Sequence, residues 1–175
     1  MIRKQIAGFN CRRLLVVLLV LCWCFPGCGS PSVALDVAPR VGALAPNFNL
    51  STLGGQEVSL DEMRGQPVVL CFWTTVCGYC RIQMPYLQEA FNRKGGKVAF
   101  IAIDIGESEQ TVAQFARDNG INFTLALDQD GAVKDAYNVS YRPTTFLVDK
   151  EGVIRYIKPG PFSSTDELMA LLKGL

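Results

Sequence analysis

The sequence contains no histidine among its 175 residues, and this absence excludes several mechanisms. Imidazole cannot serve as a general base, a metal ligand or a haem ligand supplied by this chain. A formal net charge of only +1 gives no support to nucleic acid as a partner, because such binding relies on basic surfaces. Hydrophobic residues make up 49% of the chain, which is enough to bury a core in about one domain.

Acidic residues are absent from the first 27 positions, which carry four basic side chains. Arg12 and Arg13 directly precede an unbroken run of 12 apolar residues at positions 14–25. This order is typical of a secretory signal. As a helix the run would measure about 18 Å, less than the ~30 Å hydrocarbon core of a membrane. Residues 1–27 are therefore predicted to be a signal sequence, and the rest, with 13 basic and 16 acidic residues, a mildly acidic body.

The residues after the apolar run leave three fates open. Positions 25–28 read Phe-Pro-Gly-Cys, which resembles a bacterial lipoprotein signal cleaved before Cys28, with lipid attached to Cys28. Positions 32–34 read Ser-Val-Ala and permit ordinary signal cleavage after Ala34. The third fate is an uncleaved signal anchor. Each of them places the body outside the cytoplasm, and residues 28–45, small and proline-bearing, are predicted to be a tether.

Cysteine is scarce in the body, where only Cys71, Cys77 and Cys80 occur after the tether. Three cysteines cannot form a disulfide framework for a domain of this size, so they are better suited to chemistry than to cross-linking. Disulfide chemistry is permitted outside the cytoplasm. Cys71 lies within an apolar run of strand length and is predicted to be a core residue.

The pattern of residues 46–175 predicts one α/β domain. It has a mixed central β-sheet flanked by helices and an N-terminal β-hairpin extension. The hairpin is predicted around Gly54 and Gly55. Strands are predicted at 47–51, 57–59, 68–74, 97–103, 123–127, 144–148 and 153–158, and helices at 77–94, 108–119, 131–137 and 164–173. Asp104 follows a strand near the predicted site, where it could equally cap a loop.

The chemistry is predicted at Cys77-Gly78-Tyr79-Cys80, where a buried strand meets a helix. Cysteines three residues apart on a first helical turn face the same side, within the distance that a disulfide requires. Cys77 would lie at the helix N-terminus, where free backbone N–H groups stabilise a thiolate, and Cys80 one turn inside. Cys77 is therefore the predicted nucleophile and Cys80 the resolving thiol of a redox disulfide, with no metal or organic cofactor required.

Two other uses of this motif are weighed against redox exchange. A zinc site would need two more ligands, and the body offers only Cys71 and no histidine. A purely structural disulfide between residues three apart would close too small a loop to constrain the unfolded chain much. Redox exchange is therefore favoured.

The sequence carries, in this order, residues 41–48 (VGALAPNF), Trp73 before the CxxC pair, Pro85, residues 142–149 (RPTTFLVD) and Gly152. Together these motifs resemble the thioredoxin-like superfamily and, within it, the exported thiol-disulfide oxidoreductases of the TlpA/ResA type. The resemblance implies a thioredoxin-like fold and a cis peptide bond before Pro143, which would face the disulfide beside an extended substrate chain. It also implies that Trp73, Gly78 and Tyr79 belong to the residues that bind substrate or tune the pair.

Three positions depart from the pattern of this family. Gln83 replaces a glutamate that is common there and is thought to assist proton transfer, which an amide cannot do at neutral pH. Tyr79 stands where proline is frequent. Arg142 stands where threonine or a small residue is usual. We hypothesise that Arg142 stabilises the Cys77 thiolate and makes the couple more oxidising, the alternative being a solvated loop arginine.

The resemblance implies a function in exchange of disulfides with exported proteins, most often as a reductant. Cytochrome c maturation is one family possibility. Its partners would be extracytoplasmic protein thiols and disulfides, a thiol protein that donates electrons, and the membrane through a lipid or anchor. An oxidase or isomerase is the alternative within the enzymes. An anchored binding module with an inert disulfide is the alternative of another class.

Overall fold

The computed structural model describes residues 35–175. The predicted signal at 1–27, the lipidation site at Cys28 and the cleavage site after Ala34 lie outside these residues and stay predictions. None of the helices in residues 35–175 has the length and hydrophobicity of a membrane-spanning segment.

Within residues 35–175, seven strands and four α-helices follow one another in the order that the sequence predicts. The strands are β1 (Asn49–Ser51), β2 (Glu57–Ser59), β3 (Val68–Trp73), β4 (Ala99–Ile105), β5 (Thr124–Asp128), β6 (Thr144–Val148) and β7 (Ile154–Pro159). The helices are α1 (Gly78–Lys94), α2 (Glu109–Asn119), α3 (Ala132–Ala136) and α4 (Thr165–Leu171). Short 3-10 helices cover Asp61–Met63 and Leu172–Gly174.

Five strands form the central sheet, in the order β5-β4-β3-β6-β7. β3 runs parallel to β4, and β4 runs parallel to β5, whereas β6 is antiparallel to both β3 and β7. β1 and β2 form a separate antiparallel hairpin. The predicted mixed sheet with an N-terminal hairpin is confirmed, and the carboxyl ends of β3 and β4 meet at one edge of the sheet.

The central strand β3 is buried along its whole length, as its continuous apolar sequence requires. Val69, Cys71 and Trp73 point into the core on one face, which includes residues of α1, α2 and α4. The alternate side chains point into the second core, where Phe72 packs on Tyr137. This alternation places Cys71 and Trp73 on the same face of the sheet as α1.

Helix α1 begins directly after Cys77, which is its N-cap with extended backbone angles. It ends at Gly95, whose left-handed conformation (φ 55°) allows its N–H to bond to the carbonyl of Phe91. Arg93 and Lys94 lie in the last turn, where positive charge favours the helix dipole. The strand-to-helix junction thus fixes Cys77 at the start of a 17-residue helix.

Strand β4 begins at Ala99 and not at residue 97, and it extends to Ile105. The N–H of Lys97 still bonds to the carbonyl of Lys94 in the turn after α1. Pairing with β3 starts only at Ala99, opposite Val68. The start of the strand is therefore set by its partner strand, which the apolar pattern of residues 97–103 does not contain.

The packed domain begins ahead of residue 46. Ala43 and Ala45 are buried, and the N–H of Ala45 bonds to the carbonyl of Gly152. Ile154 exchanges backbone hydrogen bonds with residues 42 and 43. The small side chains of residues 28–45 were the reason that a tether was predicted there. In residues 42–45 the same small side chains allow the backbone to pack closely against the start of β7.

Candidate active site

Cys77 lies where helix α1 meets the loop before β6. Its Sγ atom accepts the N–H of Cys80 at 3.4 Å and donates to the carbonyl of Arg142 at 3.5 Å. Cys77 is partly exposed, and both Cys77 and Cys80 are free thiols. The thiol that can meet a protein substrate is thus held at the positive end of a long helix, as a nucleophilic thiolate requires.

Cys80 is buried, with 1% of its surface exposed. Burial and, after it, the hydrogen bond with Cys77 raise the pKa of the Cys80 thiol well above its ordinary value. Cys80 is therefore protonated at neutral pH in the reduced protein. The two cysteines are unequal in the way that a nucleophile and a resolving thiol must be, and this inequality follows from their positions on the first turn of α1.

Pro143 is buried, and the Arg142–Pro143 peptide bond is cis. This loop is held from both sides, because Thr144 Oγ1 donates to the carbonyl of Tyr141 at 2.8 Å and the N–H of Gly160 donates to the carbonyl of Pro143 at 2.7 Å. The fold thus brings the segment around Pro143 to Cys77, although 65 residues separate Arg142 from Cys77 in the sequence.

Arg142 contacts Cys77 through its backbone. The carbonyl of Arg142 faces the sulphur, whereas the exposed side chain contributes its positive charge at Glu107, where it lowers the pKa of that carboxyl. The hypothesis that the guanidinium stabilises the Cys77 thiolate therefore stays a hypothesis, to be tested by substitution.

Gln83 is fully buried and uses its amide to join three parts of the domain. Its Nε2 donates to Cys71 Sγ at 3.2 Å and to Thr145 Oγ1 at 2.9 Å, and its Oε1 accepts the N–H of Phe162 at 3.1 Å. Among the described residues, none of its hydrogen bonds goes to Cys80. Burial raises the pKa of Cys71 to about 11 despite hydrogen bonds from Thr145 and Gln83, so Cys71 is a protonated core thiol at neutral pH.

Exposed apolar side chains surround the pair. Val76 is 84% exposed, Tyr79 65%, Ile82 52% and Tyr141 72%, so they flank Cys77 from both the helix and the loop before Pro143. Such a patch at a reactive thiol is suited to contact with another protein. Trp73 is different, because it is fully buried against Phe115, and it can support the site but not touch a substrate.

A role of Glu107 and Thr75 in the site was not predicted from the sequence. Glu107 accepts hydrogen bonds from the N–H of Thr75 at 2.5 Å and from its hydroxyl at 2.6 Å, and its own N–H donates to Asp104 Oδ1 at 3.0 Å. Asp104 is paired in register with Trp73 across the parallel strands. Because parallel strands end at a common edge, an acidic residue just after β4 could have been expected near the CxxC loop.

Burial is the main reason that the pKa of Asp104 rises to about 8, and the side-chain hydrogen bond to Glu107 and then the negative charge of Glu107 raise it further. At Glu107, burial opposes ionisation, but the Asp104 carboxyl and the hydrogen bonds from Thr75 outweigh it and lower the pKa. At neutral pH the pair therefore carries one negative charge, located on Glu107. No group of three or more cysteine or acidic side chains in residues 35–175 is arranged to hold a metal ion.

Comparison with known proteins agrees with this geometry. The model of the AhpC/TSA family matches residues 41–157. Thiol-disulfide oxidoreductase ResA from Geobacillus kaustophilus is 40% identical over 131 residues, which cover 74% of this chain and 75% of that protein. A putative thiol:disulfide interchange protein DsbE from Chlorobium tepidum has a similar structure, with a TM-score of 0.72 and 26% identity, over 81% of this chain and 98% of that one. An exposed lipoprotein thioredoxin, Etrx1, from Streptococcus pneumoniae gives a TM-score of 0.62 and 26% identity over 74% of this chain and 100% of that one.

Proposed function

Because the chain belongs to the AhpC/TSA family and is a thiol-disulfide oxidoreductase, we propose that it exchanges disulfides with extracytoplasmic proteins through Cys77 and Cys80, chiefly as a reductant. The observation that carries this proposal is the inequality of the two thiols. Cys77 is accessible at the N-terminus of α1, whereas Cys80 is buried behind it with a raised pKa.

The reaction transfers two electrons from the dithiol to a substrate disulfide. The Cys77 thiolate attacks one substrate sulphur, and a mixed disulfide forms while the other substrate sulphur leaves as a thiolate. Cys80 then loses its proton and attacks Cys77 Sγ, which releases the second substrate thiolate. The protein ends with a Cys77–Cys80 disulfide, the substrate thiolates take up the protons of the two thiols, and a donor thiol protein restores the dithiol.

The residues around the pair would hold an extended substrate segment. The exposed rings of Tyr79 and Tyr141 flank Cys77, and the segment would lie beside Pro143. Gly78 adds no side chain between Tyr79 and the sulphur of Cys77. Substrates of this kind are exported proteins with cysteine pairs, and cytochrome c precursors are one class among them.

The site would operate outside the cytoplasm. The basic and apolar start of the sequence supports export, and Cys28 supports attachment by lipid, with an uncleaved anchor as the alternative. The similarity to a pneumococcal protein described as an exposed lipoprotein thioredoxin agrees with this location. Labelling cells with a radioactive fatty acid tests it, since Cys28→Ser should abolish the label if Cys28 carries lipid.

Trapping of mixed disulfides tests the assignment of the two cysteines. Cys80→Ser should accumulate mixed disulfides with substrate proteins, because Cys77 can still attack but nothing resolves the product. Cys77→Ser should trap none. Cys71→Ser is the matched control, since Cys71 is a core thiol and its loss should leave turnover of a model disulfide intact. Trapping that depends on Cys71 would contradict the assignment.

The direction of electron flow is decided by the reduction potential of the pair. A value near about −270 mV supports the reductant, and a value near about −120 mV supports the oxidase or isomerase. An inert binding module would show no turnover with any disulfide. Equilibration of the full chain with glutathione redox buffers, followed by alkylation and mass measurement, distinguishes these outcomes.

A further inference from the structure

A pair of carboxyl groups lies behind the loop that carries Cys77, and the exchange reaction as proposed does not use it. Glu107 holds Thr75, two residues ahead of Cys77, by accepting from both its N–H and its hydroxyl. The preceding residue, Thr74, accepts the N–H of Cys77 through its carbonyl at 3.4 Å. Two consecutive threonines thus connect Glu107 to Cys77.

Asp104 lies behind Glu107 and is completely buried at the end of β4. Its Oδ1 accepts the N–H of Glu107, whereas its Oδ2 accepts no hydrogen bond from the described residues and, when protonated, is left to donate to Glu107. Trp73, which is opposite Asp104 in register and on the same face, also has an unpartnered Nε1. A buried carboxylate with one free oxygen is costly, so the neutral acid is favoured here.

We propose that Glu107 is a positioning residue for Cys77 and that Asp104 sets the charge of this carboxyl pair, so that the reactivity of Cys77 follows the protonation of Asp104. With Asp104 neutral, Glu107 alone carries negative charge and holds Thr75 firmly. When Asp104 ionises, a second negative charge appears behind the loop, which repels both Glu107 and the Cys77 thiolate. The inference rests on the proposed role of Cys77 and adds a device that regulates it by pH.

The charged groups around Asp104 come from three elements. Glu107 follows its own strand, Asp128 ends β5 and adds negative charge, and Arg142 lies in the loop before β6 and acts on Glu107 with positive charge. From β3 the neighbour is Trp73, which does not titrate. Two negative neighbours and burial keep the proton on Asp104 up to a pH of about 8, while Arg142 favours charge on Glu107.

The test measures the rate at which iodoacetamide alkylates Cys77 in the reduced full chain between about pH 5.5 and pH 9.5, with Cys77 identified by peptide mass. The variants are Asp104→Asn and Glu107→Gln. A glutamine at position 107 can still accept from the N–H of Thr75 and donate to its hydroxyl, so it removes charge and keeps both hydrogen bonds. Glu109→Gln, an exposed change in the first turn of α2, is the matched control.

We expect the wild-type profile to show a second inflection near pH 8, with alkylation at pH 9 at least about twofold slower than in Asp104→Asn. Asp104→Asn should follow a single ionisation. Glu107→Gln should move the inflection to lower pH, because Asp104 loses a negative neighbour. Glu109→Gln should behave as wild type. A role that is only structural would change stability and leave the shape of these profiles alone.

Identical profiles for wild type and Asp104→Asn overturn the inference. Should Asp104→Asn not fold, an inflection at the same pH in wild type and Glu107→Gln overturns it equally. A different result refutes the proposed function. If Cys77→Ser still turns over disulfides, Cys77 is not the nucleophile, whatever the alkylation profiles show. If Cys77→Ser loses turnover while the alkylation profiles of wild type and Asp104→Asn coincide, only the inference about the carboxyl pair is refuted.

Discussion

Replacement of Asp104 by asparagine should make the stability of the domain less dependent on pH. A carboxyl whose pKa is raised in the folded state keeps a proton that the unfolded chain has lost, so folding becomes less favourable as pH rises from the ordinary pKa to the raised one. The pKa of Asp104 is raised to about 8 by burial and by Glu107. The contribution of Asp104 to the free energy of unfolding is therefore fully present below about pH 4. It decreases between about pH 4 and pH 8 and does not change above that.

The magnitude follows from the pH interval. Between pH 6 and pH 8 the folded state keeps the proton of Asp104 while the unfolded chain has lost it. The free energy of unfolding therefore falls by about 1.4 kcal/mol for each of these two pH units and is unaffected by Asp104 from pH 8 to pH 9. Wild type should therefore lose about 3 kcal/mol more than Asp104→Asn across this interval. This loss is a large part of the free energy of unfolding, which is typically about 5–15 kcal/mol for a domain.

Urea unfolding of both proteins at pH 6 and pH 9, in the presence of a reductant, measures this difference. Both proteins are measured in a Cys77→Ser background, because the ionisation of Cys77 itself depends on Asp104 and would not cancel in the comparison. Equal losses in wild type and Asp104→Asn would refute the reasoning, because they would mean that Asp104 does not keep its proton in the folded state. Asp118→Asn, an exposed change on α2, is a control that should leave the wild-type dependence unchanged.

Three further predictions concern other residues of the site. Gln83→Ala should destabilise the domain by about 2–4 kcal/mol in urea unfolding, because it leaves a cavity and an unpaired N–H at Phe162; a loss below 1 kcal/mol, roughly a surface effect, would contradict the buried network. Tyr141→Ala should raise KM for a protein disulfide about fivefold and leave turnover of a small disulfide unchanged, since the ring is exposed beside Cys77. Arg142→Ala should make the couple more reducing by about 10–30 mV if its charge stabilises the thiolate, and an unchanged potential would leave only its carbonyl with a role.

The parts of the fold that the sequence predicted are those in which local pattern and packing agree. Residues 68–73 are apolar throughout, and only a central strand needs that pattern, so β3 was predicted within one residue. Ser108 and Gly120 mark both ends of α2 by cap preferences that act locally. The start of β4 depends on pairing with β3, and the burial of Ala43 depends on the start of β7, so neither could be obtained from one segment alone.

In the candidate site too, local features were predicted from the sequence and contacts between distant segments were not. Cys77 and Cys80 were predicted because their spacing and the helix that follows are local features. That the loop of Pro143 lies near the cysteines was implied only by resemblance, and the contact between Cys77 and the Arg142 carbonyl, which joins segments 65 residues apart, was not predicted. Glu107 was missed because its function requires the register of β3 with β4, which places the end of one strand beside the loop after the other.

The absence of histidine gives the carboxyl pair its significance. Imidazole is the side chain that ordinarily titrates near neutral pH, and this chain has none. Burial of Asp104 beside Glu107 raises a carboxyl pKa to about 8, so a group that changes charge near neutral pH is present at the site after all. The amide at position 83 cannot take this part, because an amide does not change charge near neutral pH, and its hydrogen bonds to Phe162, Cys71 and Thr145 give it a structural role. If alkylation of Cys77 responds to pH between 7 and 9, the response should therefore disappear in Asp104→Asn and persist in Gln83→Ala, which adds no titratable group.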